Sequence, residues 1–112
     1  MPIKAKWIPS TQVVIEALSI SEAGVYEIGK ARGNIILYIG KSDASIRDRL
    51  RTHKKETKFR GCTHFRKRRT SPDDAKSAED RLTSAYKKLH GDKLPPLNKI
   101  KPSGDPWKGI LY

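Results

Sequence analysis

Cysteine is almost missing from this chain. Of 112 residues only Cys62 carries a thiol, so no disulfide can close within the chain and no cysteine-rich zinc site can be built. A lone cysteine reads as a small, buried hydrophobe. Long apolar runs are missing too. Nothing approaches the roughly 20 apolar residues of a membrane span, and the first residues lack the apolar core of a signal peptide. The expectation is a soluble, intracellular protein, cytoplasmic or associated with nucleoid or nucleus, with no membrane partner. Acids are scarce: 12 Asp and Glu face 24 Lys and Arg, a net charge of +12. Solubility alone needs a net charge of about 2–8 in magnitude. The surplus points to an acidic partner, nucleic acid first, against the rival reading of a basic protein with no such role. Repeats and low-complexity tracts are absent.

What is present suffices for one domain. At 112 residues and 36% hydrophobic content the chain can bury one core and not two. Met1 to Pro9 reads as an extended lead-in, with Trp7 and Ile8 packing on the domain. Ser10 or Thr11 caps a short helix to about Leu18, with Val13, Val14, Ala17 and Leu18 at helical spacing. Gly24 to Gly40 reads as a hairpin: strands Val25–Ile28 and Ile35–Ile39 around the turn residues Gly29 to Asn34. The second strand is apolar at every position, which predicts a central place in its sheet. A helix follows the caps in Ser42-Asp43-Ala44-Ser45, with Ile46, Arg49, Leu50 and His53 on one face.

Lys54 to Gly61 then reads as a basic loop and Cys62 to Thr70 as a third strand around Phe65. Ser71-Pro72-Asp73 opens a long helix with acids in its first turn and the stripe Ala75, Ala78, Leu82, Ala85, Tyr86, Leu89, ended by Gly91. A Gly/Pro-rich tail closes with Trp107 and Tyr112. The expected fold is α+β, a small three-stranded antiparallel sheet flanked by helices. It is one domain over residues 1–112, with the N-terminal helix and the tail packed on a core at 24–98.

Two tripeptides carry the chemistry. Gly24-Val25-Tyr26 and Tyr38-Ile39-Gly40 have eleven residues between the tyrosines. Strand parity puts Tyr26 and Ile28 on one face, and Tyr38 and Gly40 on one face, so pairing can bring both phenols to the same side. On these residues the chain resembles the GIY-YIG nuclease family. The resemblance spans about Gly24 to Asn98. It implies an arginine on the helix after the second motif, three residues beyond an apolar position, which Ile46 and Arg49 match. Arg47 and Arg51 project to the other side of a helix turning about 100° per residue. It further implies a histidine at His53, a metal-binding glutamate at Glu79 and an asparagine at Asn98. Gly24, Gly40, Lys41 and Asn98 are supporting residues.

Singly, each residue has a plainer reading. A strand tyrosine is usually core, an arginine on a basic helix a solvated clamp, and a histidine a satisfied one. Arg32 and Arg81 read as surface charge. Glu79 could be half of an i,i+4 pair, but Thr83 is no cation. Taken together, the resemblance implies metal-dependent hydrolysis of a phosphodiester bond in DNA, of the kind used in repair or recombination. Glu79 would hold one Mg²⁺ or Mn²⁺, since a hard oxygen ligand suits these ions. Arg49 would clamp the phosphate, and Tyr26 would activate or position the water, with Tyr38 and His53 in its network. A free phenol near pKa 10 is a poor base at neutral pH, and Lys41 and the ion are expected to lower it.

Between Arg47 and Arg69, 23 residues hold eleven Lys and Arg against Asp48 and Glu56. Arg47, Arg51, Lys54, Lys55, Lys58, Arg60, Arg66, Lys67, Arg68 and Arg69 read as a phosphate-tracking surface, which gives affinity with little sequence information. The expected substrate is therefore DNA chosen by structure or weakly by sequence, with RNA as the other candidate polymer or a protein partner for targeting. The alternatives left open are a non-catalytic nucleic-acid-binding module on the same fold and a basic scaffold whose tyrosines are only core.

Overall fold

The motif-bearing hairpin is the spine of the molecule. In the computed structural model, which describes residues 3–99, strands β2 (Gly24–Lys30) and β3 (Ile35–Ser42) pair antiparallel. Tyr26 lies opposite Gly40, and Ile28 opposite Tyr38, so both phenols share one face as parity requires. Glycine is obligatory at both motif positions Gly24 and Gly40. A Cβ on Gly40 would stand 2.5 Å from Cζ of Tyr26, whose ring crosses that spot. Gly24 has φ +156°, and a Cβ there would meet the Arg68 carbonyl oxygen at 2.2 Å.

The sheet has four strands rather than the expected three, in the order β1-β4-β2-β3. β4 (His64–Arg69) lies along β2, and the lead-in adds a two-residue strand β1 (Ile8–Pro9) beside Phe65 and His64. Ile8 packs on the core and Trp7 lies against the Arg66 guanidinium, 4.2 Å from ring centroid to Cζ, which pins this strand down. A second correction concerns β3. It is an edge strand, and β2 is central. Its apolar run is explained by helices over its faces, not by strands on both sides.

Helices cover both faces. On the phenol face α1 (Gln12–Glu16) and α2 (Ile46–Lys55) bury Ile15, Ile46 and Leu50 against Tyr26, Ile28 and Phe65. α1 is capped by Thr11 but stops short of Leu18, and Val13 points to solvent at 81% exposure; Ile15 is its anchor. The expected basic loop is partly structured. A 3-10 turn at Thr57–Phe59 drives Phe59 into the same core.

On the other face α3 (Ala75–Leu89) packs Ala78 and Leu82 on Val25 and Ile39. It starts later than expected and has no acid in its first turn, because 72–74 is a separate turn; Leu89 is exposed. The expected packing of Trp107 and Tyr112 falls outside the described residues.

Asn98, in a second 3-10 turn (Pro96–Lys99), closes the exposed edge. Its Oδ1 accepts from the Ile39 amide and its Nδ2 donates to the Ile39 carbonyl, both at 2.9 Å. The side-chain amide thus stands in for a neighbouring strand between Tyr38 and Gly40. Asn98→Ala should lower unfolding stability by about 1–3 kcal/mol through the two lost bonds, read as a shift of the denaturation midpoint.

Candidate active site

α2 delivers its residues because its start is fixed at several points. Ser42 Oγ accepts from the amide of Ser45 at 2.8 Å, Ser45 Oγ accepts from that of Asp48 at 3.2 Å, and the Glu22 carbonyl accepts from that of Ile46 at 2.8 Å. Arg49 and His53 follow one and two turns later, His53 buried against the sheet and Arg49 exposed.

His53 is 4% exposed, and Tyr26 is fully buried. The two meet in a 2.7 Å hydrogen bond between the phenol oxygen and Nε2. The imidazole is boxed by Tyr38, with ring centroids 5.0 Å apart, and by Phe59 at 4.5 Å. Tyr26 and Tyr38 stack at 6.3 Å. Behind the imidazole, Nδ1 lies 3.0 Å from Oε1 of Glu56, the C-cap residue of α2. The chain Tyr26–His53–Glu56 is therefore continuous.

Charges surround this chain. Burial pushes the Tyr26 phenol above its usual value near 10, with Tyr38 and Glu79 adding to the rise and the Arg49 guanidinium opposing it. Tyr38 is raised by burial in the same way, again with Arg49 lowering and Glu79 and Glu56 raising. Burial acts to lower the Arg49 pKa, but the two phenols and Glu56 outweigh it and hold the guanidinium charged. Burial also pulls His53 down to about 4; Glu56 resists, while Arg49 and Lys58 assist.

Tyr26, Tyr38, Arg49 and His53 are thus brought together. Glu79 sits on α3, whose body packs on the opposite face of the sheet, and it joins these four only as a charge that adds to the rise of both phenols. It is half-buried and also meets Lys76 at 3.4 Å, so the helix pair read as absent at i+4 exists at i−3. Among the described residues no group of three or more His, Cys, Asp and Glu side chains could hold a metal ion by itself. A single carboxylate still fits a Mg²⁺-type ion, which commonly keeps several waters and takes one or two carboxylates plus substrate phosphate.

Three expectations need correction. Lys41 does not face the phenols: it pairs with Val25 across the hairpin, on the other face from Tyr26, and binds Asp43 at 3.1 Å. In the protein alone the Tyr26 pKa is raised, because burial and Tyr38 outweigh Arg49, and Lys41 does not lower it. Arg66 is no phosphate contact. Strand parity turns it to the α3 face, 6% exposed, where its Nε meets buried Glu27 at 2.6 Å.

The rest of the basic set divides. Lys67 is held by both oxygens of Glu22 at 2.7 Å, and Arg47 and Arg51 are paired with Glu16 and Asp48. Lys58 lies 5.4 Å from the Tyr38 and Phe59 ring centroids. Lys54, Lys55, Arg60, Arg68 and Arg69 are exposed. His53, Lys54, Phe59 and Arg60 border one cavity of about 180 Å³.

Sequence reasoning missed Glu56 and Phe59. The available signal was position: Glu56 follows His53 by three, one helical turn, inside a run of cations. Among the described residues no helix is long and apolar enough to cross a membrane. Comparison with protein-family models, curated proteins and solved structures finds no match to this chain.

The neutral imidazole has a consequence for stability. The native state resists protonation between pH 6.5 and about 4, whereas the unfolded chain takes up the proton near 6.5. This group's contribution to stability is present above 6.5 and is lost as pH falls through that window. The stability of wild type relative to His53→Gln should therefore decline as pH drops from 6.5 toward 4, measured by denaturant unfolding of both at each pH.

Proposed function

We propose that this protein is a metal-dependent endonuclease of the GIY-YIG type that hydrolyses phosphodiester bonds in DNA. The observation that carries the reading is the buried Tyr26–His53 hydrogen bond with Arg49 and Tyr38 beside it. A phenol raised by burial is a poor base alone. It becomes useful when its own proton has an acceptor already in contact, and neutral Nε2 of His53 is that acceptor.

The step balances as follows. A water oxygen forms its bond to phosphorus, the water proton moves to the Tyr26 oxygen, and the phenol proton moves to Nε2. The bond from phosphorus to the leaving oxygen breaks with its electron pair, and the alkoxide takes a proton from solvent. The imidazolium then hands its proton back along the same path, through the Tyr26 oxygen to the water that refills the site. Arg49, held charged, binds the non-bridging oxygens, where negative charge builds in the transition state. Tyr38 and Phe59 keep water off the imidazole.

Glu79 would hold one Mg²⁺ or Mn²⁺, which when bound neutralises charge on the phosphate and the leaving oxygen. Lys54 and Arg60 border the His53 cavity and are suited to the DNA backbone, with Lys55, Arg68 and Arg69 as further exposed cations. Such contacts carry no base information, so the substrate would be selected by DNA structure or weakly by sequence.

The test is cleavage of supercoiled, linear, flapped and single-stranded DNA with Mg²⁺, Mn²⁺ or EDTA, by wild type and Glu79→Gln. Gln keeps the shape and removes the charge that holds the ion. Cleavage should require the ion and fall on the order of a thousandfold in the variant, while DNA affinity holds. Equal rates would remove Glu79 from the reaction. Wild-type cleavage unchanged by EDTA would remove the metal.

A further inference from the structure

We infer that Glu56 is a positioning residue: it locks His53 in the tautomer that leaves Nε2 free to accept the Tyr26 proton. The inference deepens the nuclease reading and rests on it for its consequence in the reaction, though its structural half stands alone.

The geometry leaves little choice. An ionised carboxylate can only accept, so at 3.0 Å the hydrogen between Oε1 and Nδ1 belongs to Nδ1. A neutral imidazole carries one N–H, so Nε2 is then bare, and at 2.7 Å the phenol must be the donor. The proton path thus runs from Tyr26 toward His53. The opposite tautomer would place Nε2–H against the phenol oxygen and leave nothing to take its proton.

Glu56 is placed for this by the end of α2. Its amide still donates to the His53 carbonyl at 2.9 Å, but its ψ of 135° leaves the helix, and the side chain folds back under the imidazole. The carboxylate is 17% exposed, and its second oxygen makes no hydrogen bond among the described residues. Once the imidazole is protonated, the carboxylate faces a full positive charge. Glu56 therefore favours the state formed during the reaction over the resting state. Other groups around the imidazole work against that charge: Arg49 and Lys58 are both cations, and Tyr38 and Phe59 exclude water. Loss of the buried acid behind a catalytic histidine costs about 10⁴ in rate where a serine is the nucleophile, through the wrong tautomer.

Long-range ¹H–¹⁵N NMR of the imidazoles at neutral pH reads the tautomer directly, with His53→Gln assigning the signal among the three histidines. The expected wild-type pattern is a protonated Nδ1 and a bare Nε2; a protonated Nε2 would overturn the inference. In Glu56→Ala the Nε2–H form should gain population and cleavage should fall about a hundredfold, with DNA affinity unchanged. Glu56→Gln keeps the shape but removes the charge and offers an amide N–H that can donate to Nδ1, so it should likewise gain the Nε2–H form and lose rate, while Glu56→Asp, which can only accept, should keep the wild-type tautomer. Cleavage by Glu56→Ala at the wild-type rate would overturn the role in the reaction. If wild type cuts no DNA with either ion, the nuclease reading falls while the tautomer result still decides whether Glu56 positions His53. Should Glu56→Ala fail to fold, the wild-type spectrum and Glu56→Gln carry the test.

Discussion

A phenol with no exposed surface must find a hydrogen-bond partner inside the protein, and for Tyr26 that partner is His53 at 2.7 Å. Much of the architecture serves this contact. Gly40 is bare because the ring crosses it, and α2 is pinned by Ser42, Ser45 and Glu22 so that its second turn arrives over the sheet. Phe59 and Tyr38 close around the imidazole, and Asn98 holds the strand that carries Tyr38. Burial raises the phenol and lowers the imidazole, which leaves both neutral at pH 7, the phenol as hydrogen-bond donor and the imidazole as acceptor.

Local patterns in the sequence were enough for the hairpin, a cap within Ser42 to Ser45 and the shared face of Tyr26 and Tyr38, because period-two parity and capping are short-range rules. Features set by distant contacts were not legible. Ile8 and Pro9 become a strand only because Phe65 and His64 offer an edge. The apolar run of β3 looked central, but α3 and the Asn98 turn supply its cover from far along the chain. Arg66 looked like its cationic neighbours until strand register set it beside Glu27. Glu56 looked like a stray acid because its value lies in the turn that ends α2. The pairing of Glu79 with Lys76 was missed by looking one turn forward and not back.

The net charge of +12 is not spread evenly over one binding face. Glu22, Glu27, Glu16 and Asp48 neutralise Lys67, Arg66, Arg47 and Arg51 within the fold. The acids are few, and several are spent on strand and helix contacts, so exposed cations such as Lys54, Lys55 and Arg60 keep their charge for a partner. Lys54 and Arg60 border the cavity that His53 lines, so part of the cationic surface adjoins the imidazole, although Tyr26, Tyr38, Arg49 and Glu79 do not line that cavity.

The central claim is that the Tyr26 hydroxyl, which has no exposed surface in the free protein and must be uncovered when substrate binds, activates the attacking water, and Tyr26→Phe tests it with the ring left in place. Cleavage by the variant should fall by about 10²–10⁴, the usual worth of a positioned acid–base group. Loss of the hydroxyl also leaves Nε2 of His53 without its donor and should lower stability by about 1–3 kcal/mol, so rates are compared at a temperature where both proteins are folded. DNA affinity should be unchanged. A folded Tyr26→Phe protein that cuts DNA at the wild-type rate would contradict the account.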